Sequence, residues 1–512
     1  MFVIYALDAT RARHAEEAAV AEHGLDLATL MQRAGTALAE EVGCRAPYGP
    51  VAVVAGAGNN GGDGWVAARE LVSRGRSVTV VTAEPPDAIE GIAGDAARAA
   101  AAAGVDVQTV GAEALAADGL AGNAVVIDAL FGVGFAGPLR PPYGTWIDAI
   151  NASEALVVSA DVPSGVDAST GAVSEPTVQA DVTVTFSAPK VGAIVYPGAE
   201  FAGELVVADI GIPMSLLGEP GNPEVWDHGE YRALLPTPAP DAHKNIRGRV
   251  LVIAGSGAFP GAAALTAMGA QRMGAGYVTV AVPESVVGVL QTKLTSAIVM
   301  GLPENPTQTV AAGVTDAILE VAQDFDAVVL GPGMTVAHGA VDVARALVSA
   351  LEMPLVLDAD GLNALIDSVD VVTSRTAPTV ITPHPGELAR LLDVTPAAVQ
   401  SDRLAYGRTL SGEHLACVLK GAHTVVSGRG RQVVTLAGNP GLATAGTGDV
   451  LAGMVGALLA QGLEPFEAGA LGAYLHARAG DHAAAELTTL SVVAEDVPAY
   501  IPPAIRELDE TV

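Results

Sequence analysis

Two asparagines and a carboxylate set in a run of glycines are the first chemically loaded residues of this chain: VAVVAGAGNNGGDG, residues 51–64. Gly56, Gly58 and Gly61 satisfy the spacing G-x-G-x-x-G between an apolar run and a helical stretch. Glycines there let the backbone approach a phosphate, and the helix N-terminus adds partial positive charge. A redox dinucleotide cofactor is one reading. Asn59, Asn60 and Asp63 fit it poorly, because a carboxylate beside a pyrophosphate is repulsive unless a cation or a sugar hydroxyl intervenes.

Two later segments belong with this loop. DALFGVGFAGPLRPP puts Asp128 at a strand end ahead of a second glycine-rich loop, and ADVPSGVDASTG puts Asp161 and Ser164 at another. Strand C-terminal ends form the ligand crevice of an open α/β sheet, so Asn60, Asp128 and Ser164 can converge. Amide, carboxylate and hydroxyl oxygens suit an alkali or alkaline-earth cation and suit zinc poorly. Taken singly, either aspartate reads as a helix or turn cap.

The second chemical centre is GNPGLATAGTGDVLAGMVGALLA. Gly446, Thr447 and Gly448 lead into an apolar helix and present N–H groups to an anion, with Asp449 in the first turn. That pattern fits phosphoryl transfer, the N–H groups meeting the moving phosphoryl and the carboxylate taking a hydroxyl proton. LKGAHTVVS sets Lys420 at a strand end, where it can meet a nucleotide phosphate. ITPHPGEL displays His384 between two prolines.

Charge sharpens the weight of these residues. The chain has 57 acidic against 26 basic residues and a net charge of −31, which opposes DNA, RNA and anionic lipid as partners. Its lysines are Lys190, Lys244, Lys293 and Lys420, so a lysine inside a glycine-rich motif is worth attention. Cys44 and Cys417 are far apart and lack metal-ligand spacing, as expected of thiols in a reducing compartment. No apolar run approaches the roughly 20 residues of a membrane span, and the first residues lack a basic segment ahead of their apolar patch. These features predict a cytoplasmic protein.

The elements that must position these groups alternate strand and helix twice. VAVVAG, SVTVVTA, AVVIDALFG, ALVVSADVP, DVTVTFS and ELVVADIGIP are continuous Val/Ile runs, the mark of parallel strands buried on both faces. The Pro- and Gly-rich stretch of residues 215–243 breaks the rhythm and is expected to connect domains. RVLVIAG, YVTVAVP, AVVLGPG, LVLDADG, TVITPHPG and CVLKGAHTVVS restart it. The Ala-rich stretch of residues 466–487 reads as an outer helix suited to packing, including between subunits. Two α/β domains are expected, over residues 1–217 and 222–512.

GAGNNGGDG, DALFGVGFAG, DVPSGVDASTG and TFSAPKVG, in that order, resemble the NAD(P)H-hydrate epimerase family. The resemblance implies a Rossmann-like parallel-sheet sandwich. Its substrate would be NADH or NADPH hydrated at C6 of the nicotinamide ring, so the dinucleotide is repaired and no hydride moves. By motif, Asn59, Asn60, Gly61, Gly62 and Asp63, then Gly132, Val133, Gly134, Phe135, Ala136, Gly137 and Pro138, with Asp161, would hold the hydrate. Asn60, Asp128 and Ser164 would bind K+. Epimerisation needs a planar or ring-opened centre and hence proton transfer, for which Asp161 and Lys190 are the acid–base candidates. The family has Glu after Leu-Met in its N-terminal helix, where this chain has Gln32, a difference that bears on local packing or dimer contacts.

HKNIRGRVLVIAGSGAFPGAAALTAMG, GPG, TPHPGE, KGAHT and NPGLATAGTGD resemble the NAD(P)H-hydrate dehydratase family, which implies a ribokinase-like α/β fold. Ala262, Gly333, His384 and Asp449 would contact the hydrate. Lys420, Gly421, Ala422, His423, Thr424 and Gly448 would bind the adenine nucleotide. The resemblance implies ADP as co-substrate, Mg2+ although no ligand set is legible, and a homo-oligomer. Two other readings explain less. A ribokinase-like small-molecule kinase fused to a nucleotide-binding module gives the NNGGD loop no task, and a noncatalytic nucleotide sensor leaves Asp161, Lys190 and Asp449 without one.

Overall fold

The computed structural model describes residues 4–110, 115, 118–238 and 246–510. Lys244 and the first residues of the HKNIRG segment lie outside them. The chain divides into two compact units between Pro223 and Glu224.

Valine runs with no polar face must be covered on both sides, and the first unit does this with a sandwich. Its strands are β1 (Ile4–Tyr5), β2 (Val51–Ala55), β3 (Val78–Thr82), β4 (Asp106–Thr109), β5 (Val125–Ala129), β6 (Leu156–Ala160), β7 (Val182–Phe186) and β8 (Glu204–Ala208). Seven form one sheet in the order β4-β3-β2-β5-β6-β7-β8, with every pairing parallel. The helices Leu27–Arg45 and Asn59–Ser73 close one face around Leu38, Val42 and Trp65. Trp146, Ile147 and Ile150 of the helix Tyr143–Asn151 close the other. Chain order runs outward from β2 through β3 to β4 and then returns to β5 on the opposite side. The loops after β2 and β5 therefore splay apart and leave a crevice between them.

The second unit is built on β9 (Pro223–Val225), β10 (Arg249–Ile253), β11 (Tyr277–Pro283), β12 (Ile298–Leu302), β13 (Ala327–Leu330), β14 (Leu355–Leu357), β15 (Thr379–Ile381), β16 (Leu415–Leu419), β17 (Val425–Gly428) and β18 (Arg431–Val434). From β16 the sheet continues β15-β14-β13-β10-β11-β12, all parallel. Beyond β16 the pairing turns antiparallel through β17 and β18. The single segment CVLKGAHTVVS thus folds back on itself, with Lys420 and His423 at its turn.

The helices Pro260–Arg272 and Thr447–Ala460 press together because two glycines permit it. A Cβ on Gly453 would collide with the Thr266 carbonyl, and one on Gly269 with the backbone of Val450. This fixes the start of the GTGD helix against the loop after β10. The helix Pro465–Leu487 is buried along most of its length and packs within its own core, with Phe466 and Leu471 fully enclosed. Among the described residues no helix is long and apolar enough to cross a membrane.

Candidate active sites

The crevice between β2 and β5 is a cavity of about 610 Å³ walled by both glycine-rich loops. Asn59, Asn60 and Asp63 face it from the first loop, residues 132–136 and Pro138 from the second, and Asp161 from the end of β6. The glycines divide their tasks. Gly61 stands where a Cβ would strike the Gly56 carbonyl, and Gly62 where one would meet Met31, so both serve packing and lie off the cavity wall. Gly58 and Gly134 have open space where a side chain would be, as a close approach of ligand to backbone requires. Gly137 lies off this wall beside a smaller hollow next to Asp167 and Ser174.

Asp161 is the strained residue of the site, with φ at +66°. A non-glycine residue in the left-handed region is held there by its surroundings. Here its N–H donates to the Val184 carbonyl at 2.8 Å, and its carboxylate accepts from Thr185 Oγ1 and the Phe186 N–H, each at 3.1 Å. It also forms an ion pair with Lys190. Lys190 is buried behind Asp161 and away from the cavity wall. Its Nζ also donates to the carbonyl of Phe186 at 2.8 Å, and to Thr185 Oγ1 and the Ala188 carbonyl at 3.2 Å.

Beneath the wall, Asp128 is fully buried. It accepts from Ser159 Oγ at 2.8 Å, Ser164 N–H at 2.8 Å and Ser164 Oγ at 2.6 Å. Burial raises its carboxyl above the usual range, and these hydrogen bonds pull the other way. Asn60 is buried beside Gly132, and its amide nitrogen has no partner. The two ends of a carboxamide are assigned by their surroundings, so Asn60 offers either an orphan donor or, turned over, an orphan oxygen.

The second unit gathers a denser cluster. Asp358, immediately after β14, is buried and accepts from Lys420 Nζ at 2.6 Å and from Thr382 Oγ1 at 2.8 Å. Glu387 stands 3.7 Å from the same ammonium. A Cβ on Gly448 would lie 3.2 Å from Lys420 Nζ, so the amine sits against the start of the GTGD helix. Gly446 takes φ +98°, and the N–H groups of Gly446 and Gly448 make no hydrogen bond among the described residues. Burial first, then the charge of Asp358, push the Asp449 carboxyl up to about 7. Burial works against the charge of Lys420, but Asp358 and Glu387 outweigh it and hold the amine above its ordinary value.

His384 caps the helix Pro385–Leu392. Its Nδ1 accepts from the N–H groups of Gly386 at 3.0 Å and Glu387 at 3.3 Å. That leaves the proton on Nε2, and burial further favours the neutral ring. Gly333, at φ +67°, abuts Ala262 and Phe259 where the loops after β13 and β10 meet. Residues 421–424 form the turn after Lys420, in which His423 takes φ +50° and Thr424 Oγ1 bonds the Gly421 carbonyl at 3.0 Å.

Each of the two centres falls within a region that matches a known family. The family described as NAD(P)H-hydrate dehydratase matches residues 250–503, and the one described as YjeF-related protein N-terminus matches residues 27–192. A bifunctional NAD(P)H-hydrate repair enzyme of Moorella thermoacetica is 39% identical over 99% of this chain and 98% of its own. This chain belongs to the bifunctional NAD(P)H-hydrate repair enzymes. A second member, from Thermofilum pendens, is 39% identical over 96% of this chain and 94% of its own. A solved ADP/ATP-dependent NAD(P)H-hydrate dehydratase from Bacillus subtilis, co-crystallised with ATP and Mg2+, is 26% identical. It covers 56% of this chain and 98% of its own with a TM-score of 0.46.

As a repair enzyme, the chain carries an epimerase domain and a dehydratase domain. Its sites contain residues that motif reading passed over. Asp358 and Glu387 lie inside the quoted segments LVLDADG and TPHPGEL, where a carboxylate at a strand end and one three residues after a cap were the available signals. Glu16 reaches the first cavity from the helix Ala9–His23, with no motif to mark it. His476 is buried with its Nε2 unpartnered and is held neutral, its ring pushed down to about 4 by burial.

Proposed function

We propose that the first domain interconverts the R and S epimers of NADH or NADPH hydrated at C6, and that the second dehydrates the S form at the expense of ADP, giving AMP and phosphate. The observation that carries the second half is Asp449 at the start of the GTGD helix, one residue beyond unpaired backbone N–H groups and with the Lys420 amine alongside. Asp449 takes the proton of the C6 hydroxyl as that oxygen attacks the terminal phosphoryl of the nucleotide. Lys420, the turn of residues 421–424 and Gly448 hold the nucleotide, while Ala262, Gly333 and the Nε2–H of His384 orient the hydrate. Hydroxide leaves poorly and phosphate leaves well. Once phosphorylated, C6 loses phosphate as the ring nitrogen lone pair forms an N1=C6 iminium, and release of a C5 proton to water returns the lone pair to nitrogen and restores the C5=C6 bond of the dihydronicotinamide.

In the first domain the hydrate lies in the cavity between residues 59–63 and 132–138. Asp161, with Lys190 paired to it, serves acid–base exchange at C6. Potassium fits Asn60, Asp128 and Ser164, because the buried Asn60 amide nitrogen lacks a partner, the carboxamide turned over would present an oxygen there, and the buried Asp128 carboxylate supplies charge. Held there, it would neutralise that charge and fix the second glycine loop. Mg2+ fits the dehydratase domain by charge, since Asp358, Asp360, Glu387 and Asp449 face a single ammonium there. It would screen the nucleotide phosphates. Among the described residues no cluster of three or more His, Cys, Asp or Glu forms a dedicated cage, and this ion commonly relies on phosphates and water. The enzyme works in the cytoplasm as a homo-oligomer.

The test is recovery of dihydronicotinamide absorbance from a mixed R and S hydrate of NADH with ADP, with ATP or with neither. Complete recovery with ADP, faster than spontaneous epimerisation, supports both activities. Recovery of only the S fraction removes the epimerase, and none with either nucleotide removes the dehydratase.

A further inference from the structure

We infer that Glu16, on the helix Ala9–His23, is the second proton-transfer residue of the epimerase cavity, acting opposite Asp161. The inference rests on the epimerase reading. Opening the C6 hemiaminal moves protons at two atoms. The hydroxyl proton leaves to a base as C6=O forms and the C6–N1 bond breaks, and N1 takes a proton from an acid as it receives the electron pair. Rotation about C5–C6 and the reverse transfers close the other epimer, with no net change in protons or electrons.

Asp161 supplies one group. Lys190 is poorly placed to be the other, because its side chain is 4% exposed and its three protons are shared among Asp161, Thr185 Oγ1 and the carbonyls of Phe186 and Ala188. Its role is to pair with Asp161 and fix its position, leaving Asp161 as the base. The cavity wall offers Glu16, Asp63, Arg13, Arg140 and Tyr143 as remaining ionisable groups. Guanidinium does not give up its proton. Burial raises the Tyr143 phenol further from neutrality.

Two carboxyls remain. Burial and then Asp161 push Asp63 well above the ordinary range, with Glu16 adding to the effect. Glu16 faces Asp161, Lys190, Glu17 and Arg13 and is raised for the same first two reasons. Asp63 belongs to the first glycine loop that grips the hydrate, whereas Glu16 reaches the cavity from the helix Ala9–His23, an element separate from both loops and from the strand end that carries Asp161, which assigns the second proton transfer to Glu16.

The experiment uses the full chain with the R hydrate of NADH and ADP, where absorbance returns only after epimerisation. The expected result for Glu16→Gln is at least a hundredfold lower epimerisation kcat with hydrate KM within threefold. The decline of rate with rising pH that a required proton donor imposes disappears in this variant, and Glu16→Asp recovers part of the rate. Unchanged thermal unfolding and unchanged turnover of the S hydrate exclude misfolding. The inference is overturned if Glu16→Gln epimerises within threefold of the parent, if its loss lies in KM alone, or if Asp63→Asn abolishes the alkaline decline while Glu16→Gln keeps it. A parent that converts only the S hydrate overturns the epimerase reading itself.

Discussion

Each domain sets a rare lysine against an aspartate at the end of a parallel strand, and the two pairs are finished differently. Asp161 and Asp358 each accept from a lysine and from a threonine, Thr185 in one case and Thr382 in the other. Lys190 is enclosed with a side-chain exposure of 4%, its donors consumed by oxygen atoms of the protein. Lys420, at 19%, is tethered by carboxylates yet lies against glycine at a helix start. The same motif therefore yields a lysine whose donors the protein itself consumes in one domain and a partly exposed amine at a helix start in the other. What separates them is which acceptors the surrounding backbone supplies.

The largest effect that would test this contrast is Asp449→Asn. Loss of a general base is worth ~10²–10⁴-fold, so S-hydrate dehydration should fall by about a thousandfold while R-to-S conversion stays unchanged. Because Asp449 titrates near 7, it is protonated and inactive as a base below that pH. The parent kcat/KM should climb about tenfold per pH unit up to that point and then level, and the variant should lose this limb. The sign for stability is opposite. A carboxyl raised in the folded state stabilises fully below its unfolded value of 3.8 and loses that contribution as pH rises through about 7. Asp449→Asn should accordingly raise Tm at pH 8 and leave it nearly unchanged at pH 4.

Lys190→Met separates the two lysines next. It leaves Asp161 buried and unpaired, a change of about 3–5 kcal/mol, so urea unfolding of the first domain should shift strongly. Lys420→Met, which likewise unpairs the buried Asp358, should in addition raise the nucleotide KM about tenfold; an unchanged nucleotide KM would break the comparison. The smallest effect concerns Gln32, whose amide donates to Glu70 Oε1 at 3.1 Å and accepts from Arg69. Gln32→Glu keeps the arginine partner and gains a carboxylate neighbour, so it should cost under about 1 kcal/mol in a thermal melt and leave epimerisation intact.

Much of this was legible in the chain. Six valine-rich runs of the first domain appear as strands of a wholly parallel sheet, and the runs of the second appear as strands of a sheet that is parallel from β16 to β12. β4 escaped because DVQT is an exposed edge strand with no apolar run, and β18 because RQVV continues a hairpin that reads as one segment. The antiparallel return of β17 was likewise hidden, since Val/Ile content does not encode direction. Loop residues of the site were readable because glycine and aspartate chemistry is local. Glu16, Asp358 and the enclosure of Lys190 were not, because they depend on which distant elements the topology brings together.

The scarcity of lysine gives the molecule a built-in reporter. Among the described residues Lys293 is the exposed lysine, Lys420 is partly covered and Lys190 is closed off. An acylating reagent followed by peptide mass mapping should mark Lys293 at once and Lys420 slowly. Lys190 should be marked only after the first domain opens. Protection of Lys420 by ADP would then read nucleotide occupancy, and the delay at Lys190 would time unfolding, both in one sample and without any hydrate substrate.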